Sequence, residues 1–275
     1  MTYRGLLCDL DGVVYRGATA CDGAVAGLQA AREADLEILF LTNNAARLPQ
    51  EVARQLRSLG VQAEDDEVLN SSQIAASYLR QHHPVPDGKF ALPVGGPGVF
   101  AALVDEGIPV VEASEVLGLG GSDVVAAVVQ GYGASVGWPQ LAEATYAVAG
   151  GALWVATNTD ATLPTERGQA PGNGSLVAAV AHATGRQPDL VTGKPHPPAF
   201  EIALQRLGLP AQDVLMIGDR LDTDIAGAKR AGLGTALVLT GVHGRSDVEA
   251  ADTSHQPDLI AETIVALAEH WSVAA

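Results

Sequence analysis

Asp9 and Asp11 stand two residues apart, directly after the apolar run Leu6-Leu7-Cys8 and before Gly12-Val13-Val14. Residues i and i+2 of an extended segment share a side, so both carboxylates can converge on one spot. Acidic groups at a buried strand end are costly without partners. Three other places have the same form, a short apolar run broken off by polar side chains. Residues 36–41 run into Thr42-Asn43-Asn44, Val191-Thr192-Gly193 runs into Lys194-Pro195, and residues 214–217 run into Gly218-Asp219, with Asp224 close behind.

Each of these groups has a distinct chemical use. Two or three carboxylates with a backbone carbonyl make an oxygen-rich site that suits Mg²⁺ with retained waters. A threonine hydroxyl, backbone N–H groups and a lysine ammonium suit the oxygens of a phosphate. A carboxylate in such a site can attack phosphorus and form an aspartyl-phosphate. A second carboxyl two residues on can protonate the leaving oxygen and later take a proton from water.

The elements that must bring these groups together follow from periodicity. Residues 5–8 form an apolar run typical of a buried parallel strand. Val25, Leu28 and Ala31 have helical spacing, with Asp22 as the expected N-cap. Residues 36–41 form a second strand, and Pro49 opens a helix that Gly60 stops. The βαβα order argues for a parallel sheet with helices on its faces. The same pattern resumes after residue 190: a helix over 198–207, a strand over 214–217, a helix ending at Gly232, a strand over 235–239 and a last helix over 259–270. Between them, residues 73–190 hold their own strands, at 90–94, 124–129 and 153–156, and their own helices. The chain therefore divides into one core of residues 1–72 and 191–275, interrupted by an inserted α/β domain of residues 73–190. In an open parallel sheet, ligands bind outside the carboxyl ends of the strands, which is where all four polar groups fall.

Composition narrows the partners. The chain has 275 residues, 16 Lys and Arg against 32 Asp and Glu, and a formal charge of −16. Such a surface repels a nucleic acid backbone, so no nucleic acid partner is expected, and an anionic substrate needs a metal ion or local cations. No apolar run reaches the ~18 residues of a membrane span. The two cysteines, Cys8 and Cys21, form no disulfide framework or zinc spacing. The start, Met1 to Arg4, runs straight into a strand without the features of a signal peptide. These readings place the chain in a reducing cytoplasm.

The stretch Asp9-Leu10-Asp11-Gly12-Val13, the turn Leu41-Thr42-Asn43-Asn44, Gly193-Lys194-Pro195 and Gly218-Asp219-Arg220-Leu221-Asp222-Thr223-Asp224-Ile225 resemble, in order, the four motifs of the haloacid-dehalogenase superfamily. The long insertion after Thr42, with Thr157-Asn158-Thr159-Asp160 and Pro171-Gly172-Asn173-Gly174-Ser175-Leu176, resembles the class IIA branch. That branch is typified by NagD-type nucleotide phosphatases, 4-nitrophenylphosphatases, pyridoxal phosphatase and glycerol-3-phosphate phosphatases. The resemblance implies an α/β fold: a Rossmann-like doubly wound parallel-sheet core with an inserted α/β cap of the C2 type. It implies a Mg²⁺-dependent phosphatase acting on a small organic phosphomonoester. Asp9 would be nucleophile and metal ligand. Asp11 would be general acid/base, with its backbone carbonyl on the metal. Thr42 and Lys194 would bind the phosphoryl group, supported by Asn43 and Asn44. Asp219 would be a metal ligand and Asp224 its supporting neighbour. In the cap, Asn158, Asp160, Arg167 and Asn173 are candidates to meet substrate. The resemblance also raises a homodimer formed through the cap.

Two other functions use similar residues. A phosphotransferase or mutase of the same superfamily would pass the phosphoryl group to an alcohol. A receiver-like signalling protein would hold a long-lived aspartyl-phosphate, but lacks a large insertion and the second aspartate. Among residues with simpler readings, Asp222 is expected at the surface or as an N-cap, Glu64-Asp65-Asp66-Glu67 as a solvated loop, Gly95-Gly96-Pro97-Gly98 as a turn, Trp138 and Trp154 as packing residues, and Cys8 as a small buried hydrophobe. His196 is equally open to a structural place and to one at the site entrance.

Overall fold

Runs of Leu, Ile, Val and Phe with no polar alternation bury both faces of a strand, and the central strands of this chain read that way. The computed structural model describes residues 3–165 and 167–271. It places six strands in one sheet, in the order Leu259–Ala261, Gly234–Val238, Val214–Gly218, Gly5–Cys8, Glu37–Thr42, Val68–Asn70. Gly5–Cys8 lies at the centre, parallel to both neighbours, with Cys8 level with Ile217 on one side and Phe40 on the other. That register brings Asp9, Asp219 and Thr42, the first residues beyond or at the strand ends, to one edge. Leu6, Cys8, Phe40, Ile217 and Val238 pack on one face against Leu28 and Ala31 of helix Ala24–Glu33 and Val52 and Leu56 of helix Pro49–Ser58.

A second parallel sheet has the order Leu190–Val191, Leu153–Ala156, Val125–Gln130, Phe90–Val94. Alternation decides its two faces. Ala127, Val129 and Val155 pack on Leu79 and Leu103 of helices Ser71–His82 and Pro97–Asp105, while Val128, Trp154 and Ala156 pack on Val148 and Val177 of helices Trp138–Ala149 and Asn173–Thr184. By contact the chain divides into two units. One comprises Met1–Thr42, Pro49–Leu69 and Lys194–Ala275, and the other Asn43–Leu48 and Asn70–Gly193. The fold is a Rossmann-like doubly wound core with an inserted α/β cap.

Several local expectations change. The helix over 259–270 is instead a strand, Leu259–Ala261, followed by a 3-10 helix, Ile264–His270. Leu259 pairs with Ala236 at the sheet edge, and the Asp258 carboxylate accepts from both the Thr235 amide and hydroxyl, which anchors the strand start. Ile264 and Leu267 are the buried pair, and spacing of three suits a 3-10 turn. Gly23, not Asp22, is the N-cap of the first helix, at φ 72°, a conformation glycine adopts freely. The helix expected to end at Gly232 opens with a π-turn, Leu221–Ile225, before Ala226–Arg230. Glu67 of the acidic loop is held by both guanidinium nitrogens of Arg32. Trp154 is buried and its indole N–H donates to Gln130 Oε1 at 3.0 Å, but Trp138 is 76% exposed and does not pack in a core. Two short antiparallel pairs, Tyr15–Arg16 with Thr19–Ala20 and Thr162–Thr165 with Gly168–Pro171, lie outside the two sheets.

Candidate active site

At the carboxyl edge of the larger sheet three carboxylates gather, and one ammonium contacts two of them. The Asp9 amide donates to Ile217 O at 2.9 Å, which continues the ladder one residue past the strand and aims the Asp9 side chain over the sheet edge. Lys194, at the start of the third segment of the same unit, donates to Asp9 Oδ1 at 2.5 Å and stands 2.8 Å from Asp224 Oδ1. Asp224 is delivered by the π-turn, and its Oδ2 accepts the Arg220 amide at 3.1 Å. Asp9, Asp219 and Asp224 each offer an oxygen within 4.8 Å of the others. All four residues are buried.

Asp219 is held by a turn that the sequence reading did not use. The Val242 amide donates to Asp219 Oδ2 at 2.8 Å, and the Thr240 hydroxyl donates to Gly12 O at 2.7 Å. Space around this carboxylate is tight. A Cβ on Gly241 would lie 2.0 Å from Asp219 Oδ2, and one on Gly12, which has φ +85°, would lie 2.4 Å from it. The signal was available: residues 240–242 follow the strand over 235–239 at the same sheet edge as the other polar groups. Asp219 Oδ1 is buried and accepts no hydrogen bond.

Electrostatics here are those of an under-neutralised anionic cluster. Burial pushes the Asp9 carboxyl well up; Lys194 opposes this, and Asp224 and Asp219 reinforce it. Burial also pushes Asp219 up to about 6, with the Asp224 charge adding to the effect against the Val242 amide and Lys194. Burial works against the Lys194 ammonium, but Asp224 and Asp9 outweigh it and hold its pKa above the ordinary lysine value. The Cys8 thiol is pushed up by burial and then by Asp9, so it stays protonated as a packing group. With all three carboxylates ionised, the single ammonium would leave two negative charges in excess, and Asp219 Oδ1 accepts no hydrogen bond. A divalent cation with hard oxygen ligands satisfies both, so the residues present fit Mg²⁺.

A pH dependence follows. Mg²⁺ takes the ionised carboxylate, so its affinity is expected to rise between pH 5 and pH 7 as Asp219 deprotonates near 6. Isothermal titration calorimetry would measure the rise, and Asp219→Asn should flatten it. The metal-free protein carries the opposite sign. Between 3.8 and about 6 the folded state holds a proton on Asp219 that the unfolded chain has released, so this group's contribution to stability falls as pH rises through that window. Thermal unfolding of metal-free wild type against Asp219→Asn would show it.

The remaining sequence candidates are placed as follows. Thr42 is buried at the end of Glu37–Thr42. Asp11 is exposed and bridges to Tyr15. The Lys194–Pro195 peptide is cis, and half-buried His196 caps helix Pro197–Leu207, its pKa lowered by burial and by Arg230. Asp222 is exposed and paired with Arg220 at 2.8 Å. In the second unit, Asn43 O accepts from Ser71 Oγ at 2.7 Å and Asn158 Nδ2 at 2.8 Å, and Asn44 Oδ1 accepts the Ala46 amide at 3.0 Å. Asn173 Nδ2 donates to Asn158 O at 2.7 Å and Gln130 O at 3.2 Å. Asn158 and Asn173 are thus buried braces of the 157–160 turn, whereas Asp160 and Arg167 are exposed.

Comparison with known proteins bears on this geometry. Residues 6–109 match the family model described as haloacid dehalogenase-like hydrolase, and residues 191–267 match the related HAD-hydrolase-like model. The chain is 43% identical over 262 residues to the D-glycerol 3-phosphate phosphatase of Mycobacterium tuberculosis, covering 95% of this chain and 70% of that one. It is 35% identical over 250 residues to the acid sugar phosphatase of Staphylococcus epidermidis, covering 91% and 92%. Among solved structures, the glycerol phosphate phosphatase of Mycobacterium tuberculosis in complex with magnesium superposes with a TM-score of 0.87 at 41% identity, over 99% of this chain and 79% of that one. NagD from E. coli K-12 superposes with a TM-score of 0.84 at 30% identity, over 96% and 98%. The chain belongs to the haloacid dehalogenase-like hydrolases, in the NagD-like class IIA branch.

Proposed function

We propose that this enzyme, a Mg²⁺-dependent phosphoric monoester hydrolase, cleaves a small organic phosphomonoester in two steps on Asp9. An Asp9 oxygen attacks phosphorus in line, and the ester oxygen leaves with a proton from Asp11. Asp11 then takes a proton from the water that attacks the same phosphorus, which releases phosphate and restores Asp9. Lys194 and Thr42 hold the phosphoryl oxygens, with Asn43 and Asn44 supporting that turn. The side chains of Asp9 and Asp219 and the backbone carbonyl of Asp11 would hold Mg²⁺, with Asp224 fixed behind them by Lys194. When bound, the ion supplies the positive charge that draws and stabilises the transferring group. The observation that carries this reading is the buried Asp9, Asp219 and Asp224 cluster on one lysine, with an oxygen of Asp219 left to accept a ligand.

For substrate, the names of the M. tuberculosis and S. epidermidis relatives support a short polyol phosphate, with Asp160 and Arg167 of the cap as the groups exposed to meet it. The test is phosphate release from 4-nitrophenyl phosphate with and without Mg²⁺. A panel of glycerol, sugar, nucleoside and pyridoxal phosphates, ranked by kcat/KM, then follows. Glycerol or sugar phosphates are expected to lead. Release that ignores Mg²⁺, or transfer to an added alcohol in preference to water, would overturn the reading.

The same reading extends to assembly and location. A cleft of about 640 Å³ in the cap is lined by Phe100, Trp138 and Tyr146, all three exposed, which supports pairing of two copies through this domain. Trp138→Glu is then expected to shift the protein from dimer to monomer in light scattering. No helix among the described residues is long and apolar enough to cross a membrane. The two free cysteines support a place in the cytoplasm.

A further inference from the structure

We infer that His243 is a positioning residue for Asp219, acting through the start of the π-turn; the inference rests on the metal-site reading above. Leu221 opens the turn that delivers Asp224. Its amide is one of the N-terminal donors that the turn itself leaves without a partner. His243 Nδ1 accepts that amide at 2.9 Å, across a sequence gap of 22 residues. As an acceptor, Nδ1 is unprotonated and the ring proton sits on Nε2. The His243 amide meanwhile donates to Asp219 O at 3.1 Å, and the neighbouring Val242 amide donates to Asp219 Oδ2 at 2.8 Å.

These three bonds form one clamp. The backbone of residues 242–243 grips both the carbonyl and the carboxylate of Asp219, and the imidazole pins the next turn of chain to the same loop. Thr240 on Gly12 O and Arg16 Nη2 on Gly241 O, at 2.9 Å, tie the other end of the loop to the segment after Asp11. The loop has no carboxylate and touches no reacting atom. Its effect is to aim the Asp219 oxygen that accepts no hydrogen bond. Without the His243 contact, the Leu221 amide loses its partner and the loop loses its link to the π-turn. Asp219 then samples orientations in which its carboxylate no longer holds an oxygen beside those of Asp9 and Asp224. Outer hydrogen bonds of this kind typically change metal affinity by about 10- to 100-fold.

The distinguishing property is an acceptor at the Nδ1 position, which asparagine can supply and phenylalanine or alanine cannot. Mg²⁺ alone is titrated into the metal-free full-length protein by calorimetry, independently of turnover, for wild type, H243F, H243A and H243N. Thermal unfolding confirms the folded state of each. H243F and H243A are expected to bind Mg²⁺ about 10-fold more weakly, and H243N within about 3-fold of wild type. At saturating Mg²⁺ all should recover kcat, since the His243 contacts are to the Leu221 amide and the Asp219 carbonyl; kcat still lowered there would overturn a role exerted through Mg²⁺ binding. Wild-type affinity in H243F or H243A, or H243N as weak as they are, would overturn the assignment. If H243F does not fold, the comparison of H243A with H243N decides it. Asp219→Ala separates the two levels: Mg²⁺ binding unchanged in that variant would overturn the metal-site reading itself, not the role of His243.

Discussion

Replacing Asp9 with asparagine is expected to lower kcat on 4-nitrophenyl phosphate by at least about 10³-fold, the scale lost when a covalent nucleophile is removed. The amide keeps the shape of the carboxyl and can still lie near Lys194, but it has no anionic oxygen with which to attack phosphorus. A loss of activity alone would not separate chemistry from unfolding, so stability is measured as well. In the wild type, Asp9 shares a buried space with Asp219 and Asp224, and its carboxyl is pushed up by burial and by both neighbours. Neutralising it relieves that crowding, and Lys194 keeps Asp224 as a partner at 2.8 Å. Metal-free Asp9→Asn is therefore expected to unfold at the wild-type temperature or above it, while the stabilisation by Mg²⁺ shrinks. Near-normal turnover would remove Asp9 from the role of nucleophile. A large drop in unfolding temperature would show that its charge has a structural use.

Lys194→Met is expected to fail in the opposite way, through stability as well as rate. Lys194 is 4% exposed and stands between Asp9 and Asp224. Methionine keeps the apolar stem and removes the only cation in contact with both acids among the described residues. Removing one partner of a buried ion pair typically costs about 3–5 kcal/mol. Because two carboxylates are left together here, part of that loss should return at low pH, where they protonate. Urea unfolding at pH 5 and pH 8 measures it, with the larger loss expected at pH 8. Mg²⁺ should recover part of the deficit at pH 8, since it neutralises the same acids. Turnover at saturating Mg²⁺ should still be about 10²-fold or more below wild type, the scale lost with one preorganised electrostatic contact to the reacting group. Equal stability at both pH values would mean that Asp9 and Asp224 do not need this lysine.

The two variants probe groups that were legible in different degrees. Asp9 and Asp219 stand out because each follows an apolar run, and a charged side chain at the end of a buried strand is rare enough to be a signal; Lys194 instead follows Thr192-Gly193, beyond the half-buried edge strand Leu190–Val191 of the second sheet. The strands themselves are legible for the same reason: 5–8, 38–41 and 214–217 are apolar without alternation, and only burial on both faces tolerates that. Helix 198–207 carried its own punctuation, with prolines at its start and Gly208 at its end. The last segment is ambiguous in sequence because Leu259, Ile260, Ala261, Ile264 and Leu267 satisfy a helical spacing as well as a strand followed by a 3-10 turn. Pairing with Gly234–Val238 decided between them, and pairing is not a local property. Trp138 differs from its expected packing role for a related reason. Its size argues for burial, but it is the first residue of its helix, and the buried stripe there is Ala144, Ala147 and Val148.

The cap shows the same division. Asn158 and Asn173 are candidates through the resemblance of the stretches 157–160 and 171–176, and nothing in their spacing tells a ligand contact from a brace. Their amide nitrogens are engaged by the carbonyls of Asn43, Asn158 and Gln130, partners 15 to 115 residues away.

What the sequence by itself determined is the chemical inventory: acids and a threonine at the ends of buried strands and a lysine where the chain leaves the second α/β unit. What only the tertiary structure decided is which atoms of those residues remain available. Asp219 Oδ2 is taken by the Val242 amide and Asp224 Oδ2 by the Arg220 amide, while Asp219 Oδ1 accepts no hydrogen bond. The reason is physical. Every residue but proline carries a backbone N–H, so a donor at position 242 has no signature in the sequence. It acquires one only when parallel register sets the end of Gly234–Val238 beside the end of Val214–Gly218.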